Sequence, residues 1–303
     1  MKFHLLGSAM ISSAIRLYLT GKKGYLTLVG AVEFIEAGLH VEVIIGRDAN
    51  VANDYSNDMV TLCIKSKIPY HIYPSEPDSE YDYIIAAGWQ RMIRNVNENK
   101  IIVFHDSLLP KYRGFAPLVN ALLNREAKVG VTALVGASEY DVGDIYHQES
   151  ISVSYPVSIG EMIDTVSELY ASLVKTIILK INSRTLITLP QSHAEASYSL
   201  WRDDEDYKIT WSQRAVDIEH FINCVGFPYL GATTTVDNQL LRVQSASAVA
   251  DVHIENRMPG KIIFKTKNGN PVVVCGEGLL QLNSVLTESG EVFKMNKFRT
   301  RFK

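Results

Sequence analysis

The sequence predicts an α/β protein, a doubly wound and mostly parallel sheet followed by a smaller, barrel-like β-rich unit. Two observations predict this. Up to about residue 182, short β-branched and apolar runs alternate with stretches whose apolar residues recur at helical spacing, as repeated strand–helix–strand units require. Beyond residue 207, short strand-like runs are separated by Asp-Asn, Pro-Gly, Asn-Gly-Asn and Gly-Glu-Gly turns, as in a small barrel. Between them, residues 183–200 lose periodicity around Pro190, Ser192, His193 and Ser197, so a boundary is expected near 190, giving units 1–190 and 191–303. In a parallel sheet, ligands bind at the carboxyl ends of the strands, and function is expected there.

Taken in order, residues 3–7 are a candidate first strand. The segment that follows, Gly7-Ser-Ala-Met-Ile-Ser12, carries one glycine where a dinucleotide fingerprint needs three, so no dinucleotide site is expected. Tyr25 to Ala37 has helical apolar spacing and closes at Gly38. Strand Val41–Ile45, helix Asp54–Lys65, a weak strand Tyr70–Tyr73 and strand Tyr81–Ala87 follow, the last ending in Gly88-Trp89. After a strand at Ile101–Phe104, Phe115–Asn124 reads as helix, and Val129–Val135 and Asp144–Val153 read as strands. Ser158 with Glu161 forms a capping-box pattern, and Met162, Val166, Leu169, Tyr170, Leu173 and Ile177 supply the apolar stripe of a long helix. The C-terminal unit opens with Ile209-Thr-Trp211, a helix near Gln213–Cys224 and Gly-Phe-Pro-Tyr-Leu-Gly231.

Composition narrows the function classes. Hydrophobic residues make up 47% and charged residues 21%, which suits a folded globular chain. No apolar run approaches the roughly 18 residues needed to cross a membrane. Met1 to Gly7 reaches a glycine before an apolar signal core develops, so no secretory leader is expected. Cys63, Cys224 and Cys275 are widely spaced and odd in number, arguing against a disulfide framework or a Cys-x-x-Cys metal site. A cytoplasmic, reducing compartment is expected. The net charge of −3 gives no general attraction to phosphate backbones, and Lys294, Lys297, Arg299, Arg301 and Lys303 read as a solvated tail.

The chemistry concentrates in Ile101-Ile-Val-Phe-His-Asp-Ser-Leu-Leu-Pro-Lys-Tyr-Arg-Gly114. A buried strand there delivers His105 to a strand exit, and Pro110 and Gly114 break regular structure beyond it. A period of two puts Val103 and His105 on one face and points Asp106 away. Asp141, in the turn Asp141-Val-Gly-Asp144 after the neighbouring strand, is a candidate partner for His105, since a carboxylate orients an imidazole and favours its charged form. The alternative is that Asp141 and Asp144 only shape a tight turn around Gly143. A serine hydrolase fits poorly, with no G-x-S-x-G elbow. No metal is expected, since no second histidine lies two to four residues beyond His105.

His-x-Ser-Leu-Leu-Pro-x-x-Arg-Gly, Pro117, Gly-Val-Thr at 130–132 and Asp-x-Gly-Asp at 141–144 together resemble the N10-formyltetrahydrofolate-dependent formyltransferase family. The resemblance is close over residues 80–150 and weaker in the C-terminal Phe-Pro-Tyr-Leu-Gly-Ala element, and it favours the methionyl-tRNA and sugar-amine branches over the purine-pathway one. It implies a Rossmann-like N-terminal domain, a barrel-like (OB-like) C-terminal domain, and attack of a primary amine on the folate's formyl carbon. His105 would serve the developing oxyanion or take the amine's proton, with Asp141 orienting it. Gly88, Trp89, Gln90, Arg91, Met92 and Ile93 match the family's folate loop. The family's usual Asn-x-His reads Val103-Phe-His here, so an amide donor is missing; loss of such a donor typically costs around a hundred- to a thousandfold in rate.

Two acceptors compete. The family's tRNA enzymes usually carry a basic insertion in the N-terminal domain, where this chain offers only Lys22-Lys23. A nucleotide-linked amino sugar is therefore the expected acceptor, with Ser107, Lys111, Tyr112 and Arg113 as candidate substrate-binding residues and no nucleic-acid or membrane partner. A homodimer is compatible with this reading. The alternatives are a methionyl-tRNA formyltransferase and a catalytically impaired folate- or nucleotide-binding homologue.

Overall fold

A computed structural model describes residues 13–49, 51, 53–77, 80–295 and 297–303. The candidate strand at 3–7 and the Gly7–Ser12 segment lie outside the described residues. The first described strand is β1 (Ala14–Leu19), followed by α1 (Gly21–Glu36), β2 (His40–Ile45), α2 (Ser56–Ser66), β3 (Tyr70–Ile72), β4 (Tyr83–Ala87) and β5 (Ile101–His105). Next come β6 (Arg113–Gly114), α3 (Pro117–Leu123), β7 (Lys128–Val135), β8 (Ile145–Ser152), α4 (Ile159–Asn182) and β9 (Tyr198–Ser199). The C-terminal part holds α5 (Ala215–Val225), β10 (Ala232–Val236), β11 (Gln239–Val249), β12 (Ile262–Lys265), β13 (Pro271–Val274) and β14 (Leu279–Thr287).

Seven strands form one sheet in the order β3-β2-β1-β4-β5-β7-β8. The first five run parallel, β7 is antiparallel to β5, and β8 is antiparallel to β7. The chain winds outward from β1 through β2 to β3 and returns to place β4 on the other side of β1. Such a reversal opens a crevice at the carboxyl ends of β1 and β4. β1 had no counterpart in the sequence reading. Its apolar run is interrupted by Arg16, which is 6% exposed, donates from Nε to Glu42 Oε2 at 2.9 Å, and lies 4.3 Å from the Tyr81 ring centroid. A charge buried with its partner lets a central strand form where the local pattern looks broken.

α4 covers the same face of the sheet as α1. Its start is as the sequence predicts: Ser158 Oγ accepts from the Glu161 amide at 3.2 Å while Glu161 Oε2 accepts from the Ser158 amide at 2.8 Å. Met162, Val166, Tyr170, Leu173 and Ile177 are buried along its inner stripe. α1 crosses it closely at Gly30, where a Cβ would sit 2.4 Å from the Ala171 carbonyl oxygen.

The second sheet has the antiparallel order β10-β11-β14-β13-β12. The chain's last residues close it into a barrel. The Ile262 amide donates to Thr300 O at 3.3 Å, the Phe302 amide to Gly260 O at 2.8 Å, and Thr235 and Lys303 exchange amide-to-carbonyl bonds at 2.8 and 2.9 Å. The tail thus bridges the two open edges, β12 and β10. The basic side chains of Lys294, Lys297, Arg299, Arg301 and Lys303 are exposed, as the sequence predicts, while Phe302, 1% exposed and 5.6 Å from the Trp211 ring, anchors the backbone between them. Between the two parts, His220 Nε2 on α5 lies 2.9 Å from the Leu122 carbonyl on α3.

Candidate active site

His105 is the last residue of β5 and is 8% exposed. Its Nδ1 lies 3.5 Å from Asp141 Oδ1, and its Nε2 lies 2.8 Å from the Tyr112 carbonyl oxygen. Both neighbours act as acceptors, so a ring carrying two protons satisfies both contacts and a neutral ring satisfies one. Because β7 runs antiparallel to β5, with Val135 opposite Ile102 and Thr132 opposite His105, its exit faces the wrong end of β5. The 136–144 loop therefore turns back along the sheet to bring Asp141 to the imidazole. Gly143 makes this possible, since a Cβ there would lie 2.0 Å from the Val135 carbonyl oxygen.

Asp141 itself sits at φ 54°, a left-handed conformation that aspartate tolerates better than most residues. Its Oδ2 accepts from the Gly114 amide at 2.8 Å, and its carbonyl accepts from Gln191 Nε2 at 2.8 Å. Gln191 Nε2 also donates to Gly143 O at 2.6 Å, while its Oε1 accepts from Arg113 Nε at 3.1 Å and Nη2 at 2.7 Å. Gln191, in the stretch read as linker, thus fixes the acidic turn. The same stretch pairs in parallel with the site loop, Arg113 opposite Tyr198 and Gly114 opposite Ser199.

The candidate substrate residues separate into two kinds. Arg113 is 1% exposed, bonded by Gln191 and by the Tyr198 hydroxyl at 3.3 Å. Ser107 is 3% exposed, donates to Lys111 O at 2.7 Å, and has its carbonyl bonded by Thr132 Oγ1 at 2.6 Å. Both hold the loop from within. Lys111 and Tyr112 lie outward: the ammonium is 3.9 Å from Glu126, and the phenol donates to the same carboxylate at 2.8 Å.

Val103 packs against the cluster of Tyr18, Ile44, Ile84, Ala86 and Ile101 on the sheet face opposite α1 and α4, a cluster that Trp89 and Ile93 also pack against. Asp106 turns to the α1–α4 side, where its carboxylate pairs with Lys23 and accepts from the Tyr170 hydroxyl. Nothing in the local pattern of Lys22-Lys23 or of the apolar stripe containing Tyr170 signals that contact.

Gly88 to Ile93 follow β4 at the point where the strand order reverses, the place in such sheets where a crevice opens. Gly88 has φ 65° and its missing Cβ leaves room for the Thr20 carbonyl, only 2.3 Å from where that Cβ would stand. Trp89 is held edge-on by Tyr18 and Tyr73 at centroid distances of 5.0 and 5.3 Å. Arg91 lies 5.1 Å from the Tyr73 ring, and Gln90 and Met92 are exposed. Trp89 Nε1 and Thr20 Oγ1 are buried without a hydrogen-bond partner. Apolar walls, backbone groups at a strand exit and unspent polar atoms fit a flat, polar heterocycle such as a pterin. No group of three or more His, Cys, Asp or Glu among the described residues is arranged to hold a metal ion, and none of their helices is long and apolar enough to cross a membrane.

Residues 75–177 match the formyl transferase family, and residues 202–303 match the formyl transferase C-terminal domain. The methionyl-tRNA formyltransferase of Acetivibrio thermocellus is 32% identical over 221 residues, 72% of this chain and 70% of that protein. The enzyme of the same name from Mycoplasma mycoides is 30% identical over 216 residues, 70% of this chain and 68% of its own length. Among solved structures, an N-formyltransferase from Helicobacter canadensis, in complex with folinic acid and dTDP-3-aminofucose, superposes with a TM-score of 0.66 at 15% identity, over 93% of this chain and 100% of its own. WlaRD, a sugar 3N-formyl transferase in the presence of dTDP and 5-N-formyl-THF, gives 0.64 at 17% identity, over 94% and 98%. At such identities the structural likeness is one of fold. The sequence matches go further, and by them this chain, a formyl-transferring enzyme, belongs to the formyltransferase family.

Proposed function

We propose that the protein transfers the formyl group of N10-formyltetrahydrofolate to the primary amine of a nucleotide-linked amino sugar, with residues 1–190 as the catalytic, folate-binding unit, residues 191–303 as the smaller one, and the cytoplasm as its compartment. The observation that carries the reading is His105, held at a strand exit between Asp141 and the Tyr112 carbonyl, beside the Trp89 crevice. The folate, when bound, supplies an activated formyl carbon; everything else falls to the chain. Trp89, Met92 and Ile93 would wall the heterocycle, and the backbone of Gly88 to Ile93 would meet its polar edge. Asp141 orients the ring of His105 through Nδ1. Turned from the Tyr112 carbonyl to the formyl oxygen, Nε2–H donates to the negative charge that develops there. A neutral ring would instead receive the attacking amine's proton at Nε2 and could return it to the departing folate nitrogen.

The acceptor choice rests on charge. A cavity of about 440 Å³ opens beside the Tyr112 loop, lined by Asn124, Tyr198, Trp201, Asp203 and Asp206 among others. Aromatic and amide groups there suit a small polar molecule, and Arg202, the lining's one cation, could meet a nucleotide's phosphates where a nucleic-acid backbone needs many cations. Methionyl-tRNA is the second reading. It is favoured by the relatives' names and by Lys261, Lys265, Lys267 and the basic tail, with Lys261 opposite Arg301 where the barrel closes.

The test is steady-state formylation of a panel of nucleotide-linked amino sugars and of methionyl-tRNA, followed by mass spectrometry. A formylated sugar amine, with His105→Ala lowering kcat about a hundredfold or more, is the expected result. Formylation of the tRNA alone, with affinity falling steeply with salt, would replace it with the second reading.

A further inference from the structure

Asp106 follows His105 directly and points to the opposite side of β5. Its carboxylate pairs with Lys23 of α1 and accepts from the Tyr170 hydroxyl of α4, which also donates to the Phe104 carbonyl at 3.2 Å. The pair is sequestered, with 18% of the Lys23 side chain and 13% of the Asp106 side chain exposed. Lys23 stands one helical turn into the chain after Thr20, at the crevice rim, so the cluster joins the folate side of the site to the peptide that carries the catalytic ring. The formyl-transfer reaction as proposed uses none of these three side chains.

We propose that Lys23, Asp106 and Tyr170 are positioning residues for His105: they clamp the peptide on which the ring is mounted and set the charge balance beneath it. The inference rests on His105 being the reacting group of the proposed function. Burying an ion pair is poor value for stability alone, because the desolvation cost offsets most of the attraction and an apolar pair of similar size does as well. What the pair does provide is a fixed geometry at a strand exit, where a displacement of an ångström can cost about a hundredfold in rate.

The electrostatics agree. Burial opposes ionisation of Asp106, but Lys23, the Tyr170 hydroxyl and His105 outweigh it and hold the carboxyl below its ordinary range. Burial likewise opposes the charge on Lys23, and Asp106 reverses that, raising its affinity for the proton. Burial, then Asp106, push the Tyr170 phenol well up, with Asp141 adding in the same direction. Tyr229, from the loop after α5, feels both Lys23 and Asp106 as well as Asp48. His105 thus has Asp141 on one side and the Lys23-compensated Asp106 on the other. Removing Asp106 lowers the negative potential at the ring, and removing Lys23 raises it.

The test uses the full chain with Asp106→Asn, Lys23→Met and the charge-free double variant Lys23→Met/Asp106→Asn. The His105 ring is titrated by NMR without ligands, and kcat, KM and thermal midpoint are then measured. The single variants are expected to move the ring's midpoint in opposite directions, down for Asp106→Asn and up for Lys23→Met. The double variant is expected to melt near the parent and keep KM, yet lose about tenfold or more in kcat. A midpoint that stays fixed in all three variants, or parental kcat in the double variant, would overturn the proposal and leave the cluster a brace. If the parent formylates no amine, the proposed function fails by itself, and the ring titration still decides the cluster.

Discussion

At the scale of single residues, Val103 and His105 share a face of β5, and the valine stands where the resemblance expects an amide. Its side chain packs against the same apolar cluster as Trp89 and Ile93. Val103→Asn exchanges two methyl groups for an amide of similar size aimed at the same space. We expect kcat to rise by about tenfold, below the roughly hundred- to thousandfold that a well-placed donor supplies, at a stability loss of about 1–3 kcal/mol for a poorly satisfied amide; kinetics and urea melts check both. A fall in kcat would show the pocket rewired around the valine. The buried thiols give a second prediction. Burial pushes Cys63, Cys224 and Cys275 each up to about 12 from an ordinary 9.0. A raised folded-state pKa favours the protonated thiol, so this stabilisation is whole below pH 9.0 and is lost as pH climbs from there toward 12. Stability should therefore fall above pH 9.0, and a thiol reagent at neutral pH should label the three cysteines only after unfolding.

At the scale of elements, the α1–α4 crossing holds the site from beneath, since α1 carries Lys23 and α4 carries Tyr170. Gly30 sets their separation. A Cβ there meets the Ala171 carbonyl oxygen at 2.4 Å and Val174 Cγ1 at 2.8 Å, and a backbone oxygen cannot swing aside. Gly30→Ala should cost about 1–3 kcal/mol through forced separation of the helices, more than the gain in helix propensity returns. A shift of the urea midpoint measures it, and an unchanged midpoint would show the crossing to be loose. The β6–β9 ladder is the other decisive element, because it ties the Tyr112 loop to the stretch carrying Gln191.

At the scale of the whole molecule, the barrel is closed by its own last residues, and Phe302 is the anchor. Phe302→Ala removes a 1% exposed ring tilted against Trp211, and such truncations cost about 3–5 kcal/mol. The loss should appear in Trp211 fluorescence as earlier melting of the C-terminal part. Coincident melting with the parent would show that the tail contributes nothing. Contacts such as His220 to the Leu122 carbonyl link this part to α3, which follows the site loop directly.

The sequence by itself determined the alternation that builds the sheet, the capped start of α4 and the strand that ends in His105, and it offered Asp141 as that histidine's partner beside the alternative of a self-capped turn. Each rests on a local rule: period of two, helical spacing, a cap three residues from its partner, a motif of fixed spacing. What only the tertiary structure decided are pairings across the chain. β1 was hidden because Arg16 interrupts its apolar run, and its compensation comes from Glu42. Arg113 reads as a substrate-binding residue, yet Gln191 holds it inside. The Lys23–Asp106–Tyr170 cluster and the tail that closes the barrel bring together residues far apart in sequence. A charged residue looks solvated until its partner is known, and partners at such separations leave no local pattern to read.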